Sequence, residues 1–218
     1  MSLELGGNDA MIVLRDASVS RAVDGAIWAG LSNSGQSCGA VERIYIEEPL
    51  YDRFAELLKR RIGSLSFGVE LGALTSASQL QAIRSVVQDA RTRGARIWIW
   101  EGNSSPDGKT SPGGGAPGGG TADGKATGNG AHSSGADDAP PYIHPPVVVE
   151  DADESMLVHK EEIFGPVLSL KKVKNTAEAL RWANDSRLGL CASIWTRDRR
   201  QARQLSKQLQ AGVVMIND

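Results

Sequence analysis

The chain has 218 residues, of which 40% are hydrophobic and 23% charged, so it is long enough to bury one sizeable core. Its 24 basic and 26 acidic side chains give a net charge of −2, which does not favour a nucleic acid or an anionic membrane as partner. Two cysteines are too few for a disulfide scaffold, so we expect a reducing, cytoplasmic setting.

Strand-like and helix-like segments alternate along the first hundred residues. Apolar or β-branched runs predict strands, and apolar stripes with a period near 3.6 predict helices. In chain order we predict a strand at 10–14, a helix at 18–31, a strand at 41–46, helices at 50–62 and 78–93, and a strand at 97–100. No apolar run approaches the length of a membrane span.

The next segment has a different composition. Twelve of the 25 glycines lie between Glu101 and Pro140, and alanine supplies the only apolar side chains from 102 to 139. Such a segment cannot bury enough surface to offset its ordering entropy. We therefore expect residues 102–141 to form a disordered insertion rich in Gly, Pro and Ser.

The alternation resumes after this insertion. The same patterns predict strands at 147–149, 167–173, 190–195 and 213–217, with helices at 176–184 and 199–210. Strands that alternate with helices predict an α/β fold, a mostly parallel sheet flanked by helices. Both termini lie directly beside structured sequence, so we expect a fragment of a longer chain.

The two cysteines have different surroundings. Cys38 lies between Ser37 and Gly39, where small residues let backbone and substrate approach the sulfur. Backbone N–H groups could stabilise a thiolate there, although a plain loop cysteine fits the same pattern. Cys191 lies in an apolar strand, which favours a small buried side chain.

A cysteine nucleophile usually needs a base, and Glu4 is a candidate. It lies between Leu3 and Leu5. Apolar neighbours would raise its pKa toward the value that a general base needs. A surface glutamate near the terminus fits equally well. Of the three histidines only His159 precedes an organised segment, so a Cys/His pair has little support.

Residues 159–167 combine charge with an aromatic side chain. Their sequence is HKEEIFGPV, in which Phe164 precedes a Gly-Pro turn and a predicted strand. One interpretation is a structural turn with Phe164 in the core. The other interpretation is a binding site, in which a carboxylate of this segment binds sugar hydroxyls and the aromatic side chain packs against a flat ring of the ligand. There is no Walker loop, and the glycine-rich run Gly113–Gly120 does not join a strand to a helix, so we predict no phosphate cradle.

Together these segments resemble the aldehyde dehydrogenase superfamily. Leu3-Glu4-Leu5-Gly6-Gly7 is similar to its glutamate motif, and Gly35-Gln36-Ser37-Cys38 is similar to its cysteine motif, with the expected 34 residues from Glu4 to Cys38. Residues 161–167, 184–190 and 211–217 are similar to later motifs. The resemblance covers all but about 102–141 and implies that residues 1–218 form the family's catalytic domain, incomplete at both ends.

The resemblance implies oxidation of an aldehyde to a carboxylic acid with NAD or NADP. Cys38 would form a thiohemiacetal, hydride would pass to the nicotinamide, and Glu4 would activate water to hydrolyse the resulting thioester. The Cys38 N–H would donate to the oxyanion. Gly6, Glu162 and Phe164 would contact the cofactor, with Glu162 at the nicotinamide ribose. The full-length protein would be a homo-oligomer, and no metal is implied.

Departures from the family pattern leave other functions open. The family's dinucleotide-binding domain and its oxyanion asparagine precede the glutamate motif, so we expect both to be absent and the chain alone to be inactive. Asn8 stands where the family often has lysine. One alternative is a cofactor-free esterase or thioesterase that uses Cys38 and Glu4. Another is a non-catalytic domain that assembles with a full-length relative.

Overall fold

A seven-stranded sheet forms the centre of the fold. The computed structural model describes residues 5–66, 68–101 and 142–218. The strands are β1 (Asp9–Val13), β2 (Val41–Glu47), β3 (Arg96–Ile99), β4 (Val147–Glu150), β5 (Val167–Val173), β6 (Cys191–Trp195) and β7 (Val213–Ile216). Their order across the sheet is β3-β4-β5-β2-β1-β6-β7. Among these strands of the described ranges only the edge pair β3–β4 is antiparallel, so the predicted mostly parallel α/β fold is confirmed.

Helices connect most of the strands. Within the described ranges they are α1 (Val19–Leu31), α2 (Glu48–Ile62), α3 (Ala77–Thr92), α4 (Leu157–Lys160), α5 (Thr176–Asn184) and α6 (Arg199–Ser206), with a 3-10 helix at Ser32–Gly35. Side chains cap three of these helices at the N-terminus and satisfy first-turn N–H groups. They are Ser76 for α3, Asn175 for α5 and Asp198 for α6. None of the helices in the described ranges is long and apolar enough to cross a membrane.

The core lies on both faces of the sheet. Strands β1 and β2 are buried along their whole length, as expected for parallel strands that helices cover on both sides. Met11 and Val13 pack with α1 and α2, whereas Ile12 and Leu14 pack with α5 and α6. This alternation follows from the two-residue period of a strand. The apolar run at 10–14 therefore serves two core clusters.

Three local features differ from the sequence predictions. The pattern did not indicate the 3-10 helix or α4, since a single turn is too short to show a period. Helix α6 ends at Ser206 rather than at 210. In the segment that follows, Gln208 O accepts from Asn184 Nδ2 and the Gln210 N–H donates to Asn184 Oδ1, so these backbone groups bond to a side chain and not within a helix. The predicted disorder of 102–141 concerns residues outside the described ranges.

Candidate active site

Four sequence segments meet at one edge of the sheet. Strands β5, β2, β1 and β6 are neighbours and run parallel, so the residues just before each strand share an edge. Gly6 precedes β1, Cys38 precedes β2 and Phe164 precedes β5, while Cys191 begins β6. The topology thus gathers three of the predicted site residues and a second thiol.

The loop that carries Cys38 begins with three consecutive residues in the left-handed region. Asn33, Ser34 and Gly35 have φ of 52°, 57° and 73°. L-residues with a Cβ adopt this region at a cost, which Asn33 offsets by donating from Nδ2 to Gln36 O at 3.0 Å. Glycine is required at position 35, because a Cβ there would collide with the backbone of Gly165. The cysteine loop therefore packs directly on the 161–165 segment.

Buried polar side chains fix the loop from below. Gln36 Nε2 donates to Ala73 O at 3.2 Å, and its Oε1 accepts the Thr75 N–H at 2.8 Å. Ser34 Oγ exchanges two hydrogen bonds of 2.9 Å with the backbone of Gly72. These bonds replace a regular sheet ladder, since the loop lies outside the strands. They hold the loop while leaving its tip free.

Cys38 occupies that tip with an exposed, unpaired thiol. A turn closed by the Ala40 N–H to Ser37 O bond, 3.1 Å long, carries it. Among the described residues nothing accepts a hydrogen bond from the Cys38 N–H, so this donor can serve an oxyanion. Gly7 lies beneath the turn, where a Cβ would collide with Cys38 O. The glutamate and cysteine motifs are therefore in contact.

Glu162 links the third motif to the glutamate motif. Its Oε1 accepts the Gly7 N–H at 3.0 Å, and its Oε2 lies 2.6 Å from where a Cβ of Gly6 would be. Glu162 and Phe164, which has φ of 52°, are both half-buried. The structure thus brings together Gly6, Cys38, Glu162 and Phe164. Glu4 lies outside the described residues.

Two charged residues near the start of β2 were missed by the sequence reasoning. Glu42 is 1% exposed and Arg43 is 2% exposed, and the pair lies between the apolar Val41 and Ile44. The Arg43 guanidinium donates to the carbonyl oxygens of Asn8, Trp182 and Ala183. Burial raises the pKa of Glu42 to about 8, although N–H donors partly oppose it. Adjacent charges inside an otherwise apolar strand were the available signal.

Asp9 and Cys191 form a second polar contact beside the cysteine loop. Asp9 Oδ1 accepts the Cys191 N–H at 3.0 Å, and burial raises the Asp9 pKa to about 6. Burial and the Asp9 carboxylate together raise the pKa of the Cys191 thiol. Cys191 is half-buried rather than fully buried, because it begins β6 and its Sγ faces Gly39. A raised pKa makes it a poor nucleophile.

His159 has no role at this edge. Its Nε2 lies 3.2 Å from Ser169 Oγ, its ring stacks on Tyr45, and it is 1% exposed. Burial lowers its pKa to about 3, so the ring is neutral at physiological pH. A buried neutral imidazole of this kind is a core side chain.

Three of these residues could hold part of a dinucleotide. Glu162 has carboxylate oxygens that could accept from ribose hydroxyls, Phe164 has an aromatic ring, and a Cβ at Gly6 would collide with the Glu162 carboxylate. The described residues contain no group of three or more His, Cys, Asp or Glu side chains that could hold a metal ion.

Comparison with known proteins identifies the family. The family model described as the aldehyde dehydrogenase family matches residues 1–113 and 120–218. The chain therefore belongs to the aldehyde dehydrogenase family.

Relatives and solved structures agree with this assignment. An aldehyde dehydrogenase from Paenarthrobacter nicotinovorans is 33% identical over 99% of this chain, and a 4,4'-diapolycopene aldehyde oxidase from Methylomonas sp is 34% identical over 99%. A betaine aldehyde dehydrogenase from Staphylococcus aureus, solved with NAD+, superposes on 99% of the chain with a TM-score of 0.80 and 26% identity. The chain spans 41%, 35% and 38% of these three proteins.

Proposed function

We propose that this chain is the catalytic portion of an enzyme that oxidises an aldehyde to a carboxylic acid with NAD or NADP. The observation that carries the proposal is the exposed Cys38 thiol, whose loop lies against Gly7 and, through Gly35, against Gly165. Family membership supports the same reaction, and several relatives are named for aldehyde substrates. The family resemblance extends the proposal to a cytoplasmic homo-oligomer.

Residues of this chain would carry the nucleophilic and the hydrolytic steps of this chemistry. The Cys38 thiolate adds to the carbonyl carbon, forming a C–S bond and an alkoxide to which the Cys38 N–H donates. Glu162 and Phe164 would hold the nicotinamide of a dinucleotide, which would supply the acceptor for the hydride that leaves this carbon. Glu4 deprotonates a water that attacks the remaining thioester, which releases the carboxylic acid and regenerates the thiolate.

The cofactor is shared with residues outside this chain. Glu162 and Phe164 would hold the nicotinamide riboside half beside Gly6. We propose that the adenosine half binds elsewhere in the longer protein, because the glycine-rich run of this sequence, Gly113–Gly120, neither follows a predicted strand directly nor opens a predicted helix. The 218-residue chain alone is therefore expected to oxidise little or no aldehyde.

The test is aldehyde-dependent reduction of NAD and NADP by the native-length protein that contains this chain. We expect Cys38→Ser to abolish reduction and the matched control Cys191→Ser to retain it. No reduction with any aldehyde of a broad panel, or full activity in Cys38→Ser, would contradict the proposal. Hydrolysis of an activated ester that depends on Cys38, without any cofactor reduction, would support an esterase instead.

A further inference from the structure

The 161–165 segment forms neither helix nor strand, yet side chains from other elements hydrogen-bond to both the N–H groups and the carbonyl oxygens of its backbone. Glu42 Oε1 accepts the N–H groups of Ile163 and Phe164 at 3.0 and 2.9 Å, and Oε2 lies 3.1 Å from the Ile163 N–H. Gln79 Nε2 donates to the carbonyl oxygens of the same two residues at 2.7 and 2.9 Å. One carboxylate and one amide thus fix two consecutive residues of an irregular loop.

The stability of the sheet does not explain why Glu42 is present. A carboxylate buried at the centre of a sheet is costly unless hydrogen bonds compensate it, and an apolar residue would suit β2 better. Among the described residues, the hydrogen-bond donors to Glu42 are the Ile163 and Phe164 N–H groups. Glu42 therefore serves the loop rather than the strand.

The loop that Glu42 holds carries the two cofactor candidates. Phe164 keeps a φ of 52°, which lies outside the regions that an aromatic residue prefers, and Glu162 precedes the bonded pair. Strand β2 begins three residues after Cys38, so a single segment carries the thiol and sets this loop. Two donors aimed at one carboxylate make the loop conformation specific.

We propose that Glu42 is a positioning residue, which fixes the Ile163–Phe164 backbone and thereby places Glu162 and Phe164 against the nicotinamide riboside half of the cofactor. The inference rests on the proposed function. Gln79 performs the matching task on the carbonyl side. Neither side chain touches the reacting atoms.

The first test is Glu42→Gln in the native-length protein. Glutamine keeps the size but turns an NH2 group toward a backbone N–H, which leaves a buried donor unsatisfied. At about pH 9, where Glu42 is ionised, we expect the KM for the cofactor to rise roughly tenfold, with a smaller change in kcat and in the alkylation rate of Cys38 without cofactor. Glu150→Gln is the matched control. Glu150, at the end of β4, is also buried, but its carboxylate pairs with Lys59 and Arg96 and not with the 161–165 segment.

The dependence of this KM on pH distinguishes positioning from packing. Burial raises the pKa of Glu42 to about 8, and the carboxylates of Glu162 and Asp9 act on it in the same direction. As pH rises from about 7 to about 9 the carboxylate forms and accepts both N–H groups more strongly, so the cofactor KM of the wild type should fall. Glu42→Gln should remove this dependence.

Gln79→Ala provides a second variant in case Glu42→Gln fails to fold. Gln79 is half-buried near the start of α3, so its loss should raise the cofactor KM roughly threefold, and Gln81→Ala on the same helix should not. An active wild type whose cofactor KM is unchanged in both variants would overturn the positioning role alone. A wild type without cofactor-dependent aldehyde oxidation would overturn the proposed function itself.

Discussion

At the scale of single residues, the two thiols should differ in reactivity because their neighbours differ. Cys38 is exposed, whereas burial and Asp9 raise the pKa of Cys191 and so lower its thiolate fraction. We expect iodoacetamide at neutral pH to label Cys38 well before Cys191, as measured by mass spectrometry of the two peptides. Asp9→Asn should lower the Cys191 pKa and speed its labelling at least roughly twofold.

The control for that prediction is Asp24→Asn, which changes an exposed carboxylate on α1 that pairs with Arg61. It should leave both labelling rates unchanged. Equal initial labelling of the two thiols would show that the buried carboxylate does not govern Cys191.

Sequence reasoning identified the site residues that belong to a local motif. It missed the charged residues whose partners are distant in the sequence. Gly6, Cys38, Glu162 and Phe164 were selected from local pattern, and the structure gathers them at one edge of the sheet. Glu42 and Asp9 were missed, because a charge in a strand acquires a partner only through the fold. Their partners, Phe164 and Cys191, lie 122 and 182 residues away.

At the scale of elements, the turn before Cys38 should be sensitive to one methyl group. Gly35→Ala must hold a left-handed φ and must also displace the Gly165 backbone. Gly94→Ala is a matched control with a φ of 92° and open space around its Cα. We expect urea unfolding to show a loss of about 1 kcal/mol for Gly94→Ala and about 2–4 kcal/mol for Gly35→Ala. Equal losses would mean that the two loops do not pack closely.

The regular elements were predictable, but their irregular connections were not. Strands at 41–46 and 167–173 show β-branched or apolar runs, so their positions followed directly from the sequence. The turn at 33–35 depends on contacts with 72–75 and 165, which no local pattern encodes. Tertiary packing decides such segments, and here they carry the proposed nucleophile.

At the scale of the whole molecule, buried ionisable groups should make stability depend on pH. Glu42 binds its proton up to about pH 8 in the folded state but only to about 4.5 when unfolded. The folded state therefore holds more protons in this window, and the free energy of unfolding falls as pH rises through it. His159, with its pKa lowered to about 3, acts oppositely and only below 6.5.

Above about pH 7 the Asp9 carboxyl, whose pKa is raised to about 6, is largely ionised, so between about pH 7 and 8 the contribution of Glu42 should dominate. We expect the free energy of unfolding of the wild type to fall by at most about 1.4 kcal/mol per pH unit there, as urea titrations would measure. Glu42→Gln should flatten this slope, and Glu150→Gln should retain it. A slope that survives in Glu42→Gln would assign the proton to another group.

That Cys38 is the nucleophile is tested most directly by trapping the acyl group it carries. The native-length protein would be mixed with an aldehyde and NAD or NADP, quenched in acid during turnover, digested and analysed by mass spectrometry. We predict an acyl mass on the peptide that contains Cys38, lost after hydroxylamine treatment and absent without cofactor. Aldehyde oxidation that proceeds with no acyl group on Cys38, or with one on Cys191, would contradict the mechanism.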